Sequence, residues 1–337
     1  MSLTRFLLRR LFLTPFVILG VAFISFVIGR LVVADPVRAW IGEKASEETA
    51  KIMIERYHLK DPIPISFYYY LINLFTGDWG VSPVSGQPVL PTIISHIPAT
   101  IELSLFAMLL IIIIGIPLGI LSAIHKEKLP DHSSRILALI GMSSPPFLVA
   151  LFLQLTFYYQ FRIFPSGSRL DPSITPPPTL TGLFLIDSLL VGDLMTFTIS
   201  VKHIFLPALT LALLNIGTVV RLVRSTMLDV LDKDYIKTAR AKGLKERVVI
   251  YKHALRNAMI PTTTVLAMQL GAMLGGSIVV ETVFGWPGIG RFAVESVLNL
   301  DYPSIIGISI VFALAVVITN LIADLFYTFL DPRIKVG

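Results

Sequence analysis

The chain has six histidines, at positions 58, 96, 125, 132, 203 and 253, and none stands in the His-Glu-x-x-His spacing that puts two zinc ligands on one helix face. It has no cysteine, which removes thiolate nucleophiles, disulfides, iron–sulfur clusters and thiolate metal sites. Neither a Gly-x-x-x-x-Gly-Lys-Ser/Thr phosphate cradle nor a Gly-x-Ser-x-Gly nucleophile elbow occurs. What the residues offer instead is docking chemistry. Asp234-Tyr-Ile-Lys-Thr-Ala-Arg-Ala-Lys-Gly243, continued through His253-Ala-Leu-Arg-Asn-Ala-Met-Ile-Pro261, is a long basic stretch between two apolar runs. Lys237, Arg240, Lys242 and Lys245 can pair with acids or lipid phosphates, while Ala239, Ala241 and Gly243 leave room for a partner to come close. On charge alone the stretch is equally well a passive loop lying against a membrane.

The elements that carry this stretch follow from composition. Hydrophobic residues make up 54% of the 337 and charged residues only 15%, against about 25% charged in a soluble domain. Stretches long enough to cross a bilayer, which takes about 20 apolar residues, run over Leu11 to Val33, Leu103 to Ile124, Ile136 to Phe161, Ile204 to Val220, Ala258 to Val280 and Tyr302 to Ala323. They lack the period-2 alternation of a barrel strand, so the fold class is an all-α membrane protein with six transmembrane helices. The first run is longer than a secretory signal core and is followed by a poor cleavage site, so it stays as an anchor.

Six crossings put both termini on one side. Arg5, Arg9, Arg10, Lys126, Lys128, Arg135, Arg333, Lys335 and the many Lys/Arg between Arg221 and Arg256 all fall on that side, which the positive-inside rule makes the cytoplasm. The net charge of +6 is therefore a matter of membrane orientation and not of nucleic-acid binding. The chain divides into a tail and first span (1–33), an extracytoplasmic region (34–98), a five-helix core with a cytoplasmic loop at about 224–260 (99–330) and a short cytoplasmic tail (331–337). Within the outer region Ser46 stands where it can cap a helix over Glu47 to Leu59, stopped by Asp61-Pro62. The apolar segment Leu183 to Ile199 is interrupted by Asp187 and Asp193 and reads as interfacial or packed on the protein.

The order of residues in the basic stretch resembles the cytoplasmic EAA loop of ABC importer permeases, in the form carried by the peptide and nickel branch. Gly243 matches that motif's glycine and Ala239 its second alanine, whereas Lys237 and Thr238 replace its glutamate and first alanine, and the stretch from glycine to Pro261 is longer. Further similar stretches are Arg9-Arg10, Asp35-Pro36, Gly77-Asp-Trp-Gly80, Ala99-Thr-Ile-Glu-Leu103, Gly115-Ile-Pro-Leu-Gly119, Glu281-Thr-Val-Phe-Gly-Trp-Pro-Gly-Ile-Gly-Arg291 and Leu330-Asp-Pro-Arg-Ile334. The resemblance implies a type I ABC importer permease fold with a coupling helix that sits in a cleft of an ATPase subunit. The implied coupling residues are Asp234, Tyr235, Thr238, Ala239, Arg240, Ala241, Lys242, Gly243, His253, Arg256 and Asn257. It also implies a second homologous permease, two ABC ATPases that carry the ATP and Mg, an extracytoplasmic solute-binding protein, and lipid around the spans. No cofactor and no catalytic residue is implied in this chain. Dipeptide, oligopeptide and nickel members share these signatures, so the cargo stays open.

The polar residues within or near the spans have two readings each. Arg30, Glu102 and Asp324 lie at span ends, where anchoring or interhelical pairing competes with solute contact. Asn215 and Gln269 lie deeper, where interhelical hydrogen bonds compete with pathway lining. Glu281 and Trp286 are further candidates for the pathway or a gate, within a turn-rich segment whose aromatic ring reads as an interfacial anchor. A stand-alone secondary transporter or channel is the alternative class, and an intramembrane enzyme has no nucleophile or metal spacing in its favour.

Overall fold

The computed structural model describes residues 12, 15–27, 38, 40 and 46–330. Helix α1 is Pro15–Val27, the described part of the expected first span. Arg30, the rest of that span and the C-terminal tail lie outside the described residues. Next come α2 (Glu47–Tyr57) and α3 (Ile63–Thr76), then the long α4 (Val89–Ile124). α5 (Leu129–Ser143) and α6 (Pro146–Gln160) are two halves of one apolar run, followed by α7 (Phe184–Val191) and α8 (Leu194–Leu231). α9 (Asp234–Ala241) leads into α10, which comprises Glu246–Val248, a π-helical segment Val249–Ala254 and Leu255–Gly276. α11 (Ile278–Val283), α12 (Ile289–Leu298) and α13 (Tyr302–Leu330) complete the described chain. Among the described residues extended pairing is confined to an isolated bridge between Val81 and Pro88.

Three of these helices are long and apolar enough to cross a membrane, α4, α8 and the first part of α13, and α5 with α6 makes a fourth if the bent pair is one span. The expected fifth span, Ala258 to Val280, is helical to Gly276 within α10 and resumes after Ser277 in α11. α4 starts well before the expected Leu103, because its first turns pack against protein and need no apolar exterior. Its π-helical turn, Ile111–Gly115, falls just before Pro117, which has no N–H to give the ladder.

The break between α5 and α6 has a local cause. Each residue that precedes a proline is pushed out of the helical region, and Ser144 and Pro145 both precede one. Ser144 takes φ −84° and ψ 135°, Pro145 takes φ −58° and ψ 136°, and the chain bends by 111° between the two helices. The segment Leu183 to Ile199, expected to be interfacial or packed on the protein, is split at Gly192 with φ +79°: its first half, α7, buries Asp187 and Ser188 and its second half opens α8. Asp193 then caps α8, accepting from the Thr196 N–H at 3.0 Å and its hydroxyl at 2.6 Å.

α8 is the central helix of the core. Leu206, Val219, Val223 and Met227 of α8 share one buried cluster with Leu103 and Ile111 of α4 and with Val249, Ala254 and Ala258 of α10. That same cluster takes in Ile236 and Ala239 of α9 at one end and Phe284 and Trp286 at the other. One continuous apolar core thus connects the short basic helix to the opposite end of the bundle.

Candidate functional site

The expected cytoplasmic loop is much shorter than its sequence suggests, because α8 runs to Leu231 and α10 starts at Glu246. Arg221 and Arg224 are therefore helical residues of α8, while His253, Arg256 and Asn257 lie in α10. Between them stands α9. Ile236 and Ala239, three apart, occupy one face and are buried, whereas Asp234, Tyr235, Lys237, Thr238, Arg240 and Ala241 are exposed. Burying Ile236 alone contributes about 1.5–3 kcal/mol to holding α9 on the bundle. Ala239 faces the chain's own core, so the space it was expected to leave for a partner is already filled; its small side chain lets α9 lie close to α8 and α10.

The end of α9 is closed by a paired turn. The Gly243 N–H bonds the Arg240 carbonyl at 2.9 Å and the Leu244 N–H the Ala239 carbonyl at 3.4 Å, the two reversed bonds of a Schellman motif. Gly243 takes φ +74°, and a Cβ there would meet nothing within 4 Å. The glycine therefore answers to backbone conformation and to whatever approaches from outside, not to crowding by its own chain. Arg240 grips Glu246 with two bonds, 2.7 and 3.2 Å, and this guanidinium holds the Glu246 carboxyl below its ordinary range. Asn257 donates to the Tyr235 hydroxyl at 2.9 Å, so residues far apart in the stretch are joined. Lys242 and Lys245 stay exposed beside the turn, and His253 is half-buried.

At the far end of the core, two of the sequence motifs close on each other. Glu281 is wholly buried and its Oε1 accepts from the Thr100 hydroxyl at 2.8 Å and the Ser277 hydroxyl at 2.5 Å. Its Oε2 accepts from the Arg291 N–H at 3.0 Å, and Thr100 in turn accepts from the Ile289 N–H at 2.9 Å. Trp286 is only 1% exposed, and its indole N–H donates to the Ala99 carbonyl at 2.8 Å. Trp286 is thus buried in the core of this chain instead of standing at its surface, and Glu281 is a buried hydrogen-bond acceptor.

One turn further along α4, Glu102 makes a buried ion pair. Arg169 Nη2 and Nε reach Glu102 Oε2 at 2.6 and 2.9 Å, and Nη2 also donates to the Gly182 carbonyl. The guanidinium lies over the Phe184 ring at 3.7 Å, and the other Glu102 oxygen accepts from the Leu185 N–H at 2.7 Å. Glu102 pairs across elements instead of reaching for solvent. Arg169 is not among the residues expected to act, although with Arg162 and Lys202 it is one of the few basic residues between 162 and 202.

Asn215 and Gln269 do meet. Gln269 Nε2 donates to the Asn215 backbone carbonyl at 3.2 Å, and Asn215 Nδ2 donates to the Leu211 carbonyl at 2.8 Å. Asn215 lines a cleft of about 340 Å³ together with Ser144, Met273 and Val280, beside the break between α5 and α6. Among the described residues Gln269 Oε1 is buried and has no hydrogen-bond partner. The side chain of Asp324 lies outside the described residues.

Comparison with known proteins adds the following. Residues 115–336 match the family described as binding-protein-dependent transport system inner membrane component, and residues 3–104 match the N-terminal part of the same kind of membrane component. The chain is 43% identical over 321 residues to the probable D,D-dipeptide transport system permease protein of Escherichia coli (strain K12), covering 95% of this chain and 94% of that one. It is 40% identical over 328 residues to the dipeptide transport system permease protein of Alkalihalophilus pseudofirmus, covering 97% and 98%. To the oligopeptide transport system permease protein of Bacillus subtilis (strain 168) it is 36% identical over 331 residues, covering 98% and 99%.

Proposed function

The chain belongs to the family of binding-protein-dependent transport system inner membrane components, and from that membership and the geometry above we propose that it conducts dipeptides or oligopeptides through an ATP-driven importer. It is a membrane component without a catalytic role. Its peptide cargo is supported by the names of its relatives, which cover nearly the whole of both chains. In this reading it pairs with a second homologous permease, takes solute from an extracytoplasmic binding protein and docks onto two ATPase subunits that bind the ATP and Mg. The Lys/Arg distribution supports six spans with both termini in the cytoplasm.

The observation that carries the coupling role is the two-faced build of α9. Its outer face offers Tyr235, Thr238, Arg240, Lys242 and Gly243 to a partner, and its inner face is buried in the core that also holds Phe284 and Trp286. An ATPase that binds α9 differently in its closed and open states biases the bundle by that difference in free energy; equal binding in both states would shift nothing. A pathway beside the broken span is supported by the cleft there, which Asn215 and Ser144 both line.

Purified gently from its native membrane, the chain is expected to elute with a homologous permease and two P-loop ATPases. In liposomes the complex is expected to take up labelled dipeptide only with internal ATP and loaded binding protein. Elution as a lone homo-oligomer, with uptake that follows an ion gradient, is the result that would replace this reading with a secondary transporter.

A further inference from the structure

A second cleft, of about 670 Å³, lies on the α5–α8 face towards the end that carries α9. Arg135, Arg221 and Arg224 line it, and Met142 lines both this cleft and the one beside Asn215, so the two clefts share a wall residue. Their arginines are not equivalent. Arg224 spends both Nε and Nη2 on Asp131, at 2.6 and 2.7 Å. Asp131 is wholly buried and also accepts from the Ser122 hydroxyl at 2.6 Å and the Glu127 N–H at 2.9 Å, which fills its acceptor capacity. Arg135 comes no nearer than 3.9 Å to Asp131 and lies 2.8 Å from the His132 ring nitrogen.

Arg221 is different again. Its Nη2 donates at 3.0 Å to the Met142 sulfur, a weak acceptor, and among the described residues no carboxylate lies within ion-pair distance of it. It is exposed to the cleft, with a planar fork of donors suited to a two-pronged grip on a carboxylate. Three guanidiniums against one saturated carboxylate leave the cleft with an excess of positive charge.

We propose that Arg221 receives the C-terminal carboxylate of a peptide as it leaves through this cleft, after its amide groups have passed Asn215 and Ser144. The inference rests on the peptide-importer reading. A lipid phosphate would engage the arginines alone, whereas the neighbouring cleft, which shares Met142 with this one and is lined by Asn215 and Ser144, suits the amides of a solute. No bond is made or broken in this step; the carboxylate exchanges water for the guanidinium and is released to the cytoplasm.

Because the chain has no cysteine, Leu139→Cys on the wall of the same cleft gives it a single thiol. In the whole importer, with cysteine-free partner subunits in nanodiscs, the rates of modification by an anionic and a cationic methanethiosulfonate report the local potential. Changing Arg221 to Gln is expected to lower the anionic-to-cationic rate ratio by about tenfold, the effect of one charge a few ångströms away at intermediate dielectric. Free dipeptide during turnover is expected to slow modification when Arg221 is present and to do so much less with Arg221→Gln. An unchanged ratio, protection indifferent to Arg221, or protection by anionic lipid without peptide would each overturn the proposal, the last by making Arg221 a lipid anchor. Failure of the importer reading itself shows separately, as absence of ATP-dependent dipeptide uptake by the unsubstituted complex.

Discussion

Truncating Glu102 to alanine is expected to cost about 3–5 kcal/mol of stability, the usual penalty when one partner of a buried ion pair is removed and the other is left behind. The Arg169 side chain is 9% exposed and the Glu102 side chain 5%, so water cannot replace the lost carboxylate. The Leu185 N–H loses its acceptor in the same change. Replacing both charged residues, Glu102→Leu with Arg169→Met, is expected to recover most of the loss, since neither charge is then buried alone. The fraction of detergent-solubilised complex that stays monodisperse after a heat step measures this. A single variant that melts with the unsubstituted protein would show that the pair does not hold the outer loop to α4.

The second large effect is expected at Gly288. A Cβ there would collide with both the Glu281 Oε2 and the Thr100 Oγ1, and Glu281 is fixed by hydroxyls and an N–H on three sides. Gly288→Ala must push a fully buried carboxylate off its donors, and overpacking of this kind costs about 1–3 kcal/mol before the lost hydrogen bonds are counted. Gly243→Ala is the contrasting change. It meets open space and suffers only the backbone strain of a positive φ, about 1 kcal/mol. Thermal inactivation of the two variants side by side is expected to separate them clearly. Equal losses would mean that the Glu281 cluster yields more readily than its bonding indicates.

That contrast also explains which parts of this protein could be read from its sequence. The apolar runs located the helices because a bilayer requires them, and the motif around Gly243 located the turn that closes α9. The limits of the helices were less legible. Val89 to Glu102 carries His96, Pro98 and Glu102, a pattern that does not look membrane-spanning, yet it is helical because protein surrounds it. Trp286, placed near a span end, reads as an interfacial ring; only the approach of the Ala99 carbonyl shows that it is core. Ala239 and Gly243 look alike as small residues in one motif, but the i, i+3 spacing of Ile236 and Ala239 was the available sign that Ala239 faces inward. Arg169 and Asp131 find their partners across 67 and 93 residues, and no local pattern announces such pairs.

The central claim is that the outer face of α9 meets an ATPase subunit, and a cross-link tests it most directly. A cysteine placed at Lys242, in a chain that otherwise has none, can carry a short photoreactive group in the assembled importer. Illumination is expected to join this chain to an ATPase subunit, with a yield that changes when ATP is trapped, whereas the same probe at the exposed Leu298, beyond the opposite end of α10, is expected to give no such product. A cross-link to the ATPase no stronger from Lys242 than from Leu298 would contradict the assignment of α9 as the coupling element.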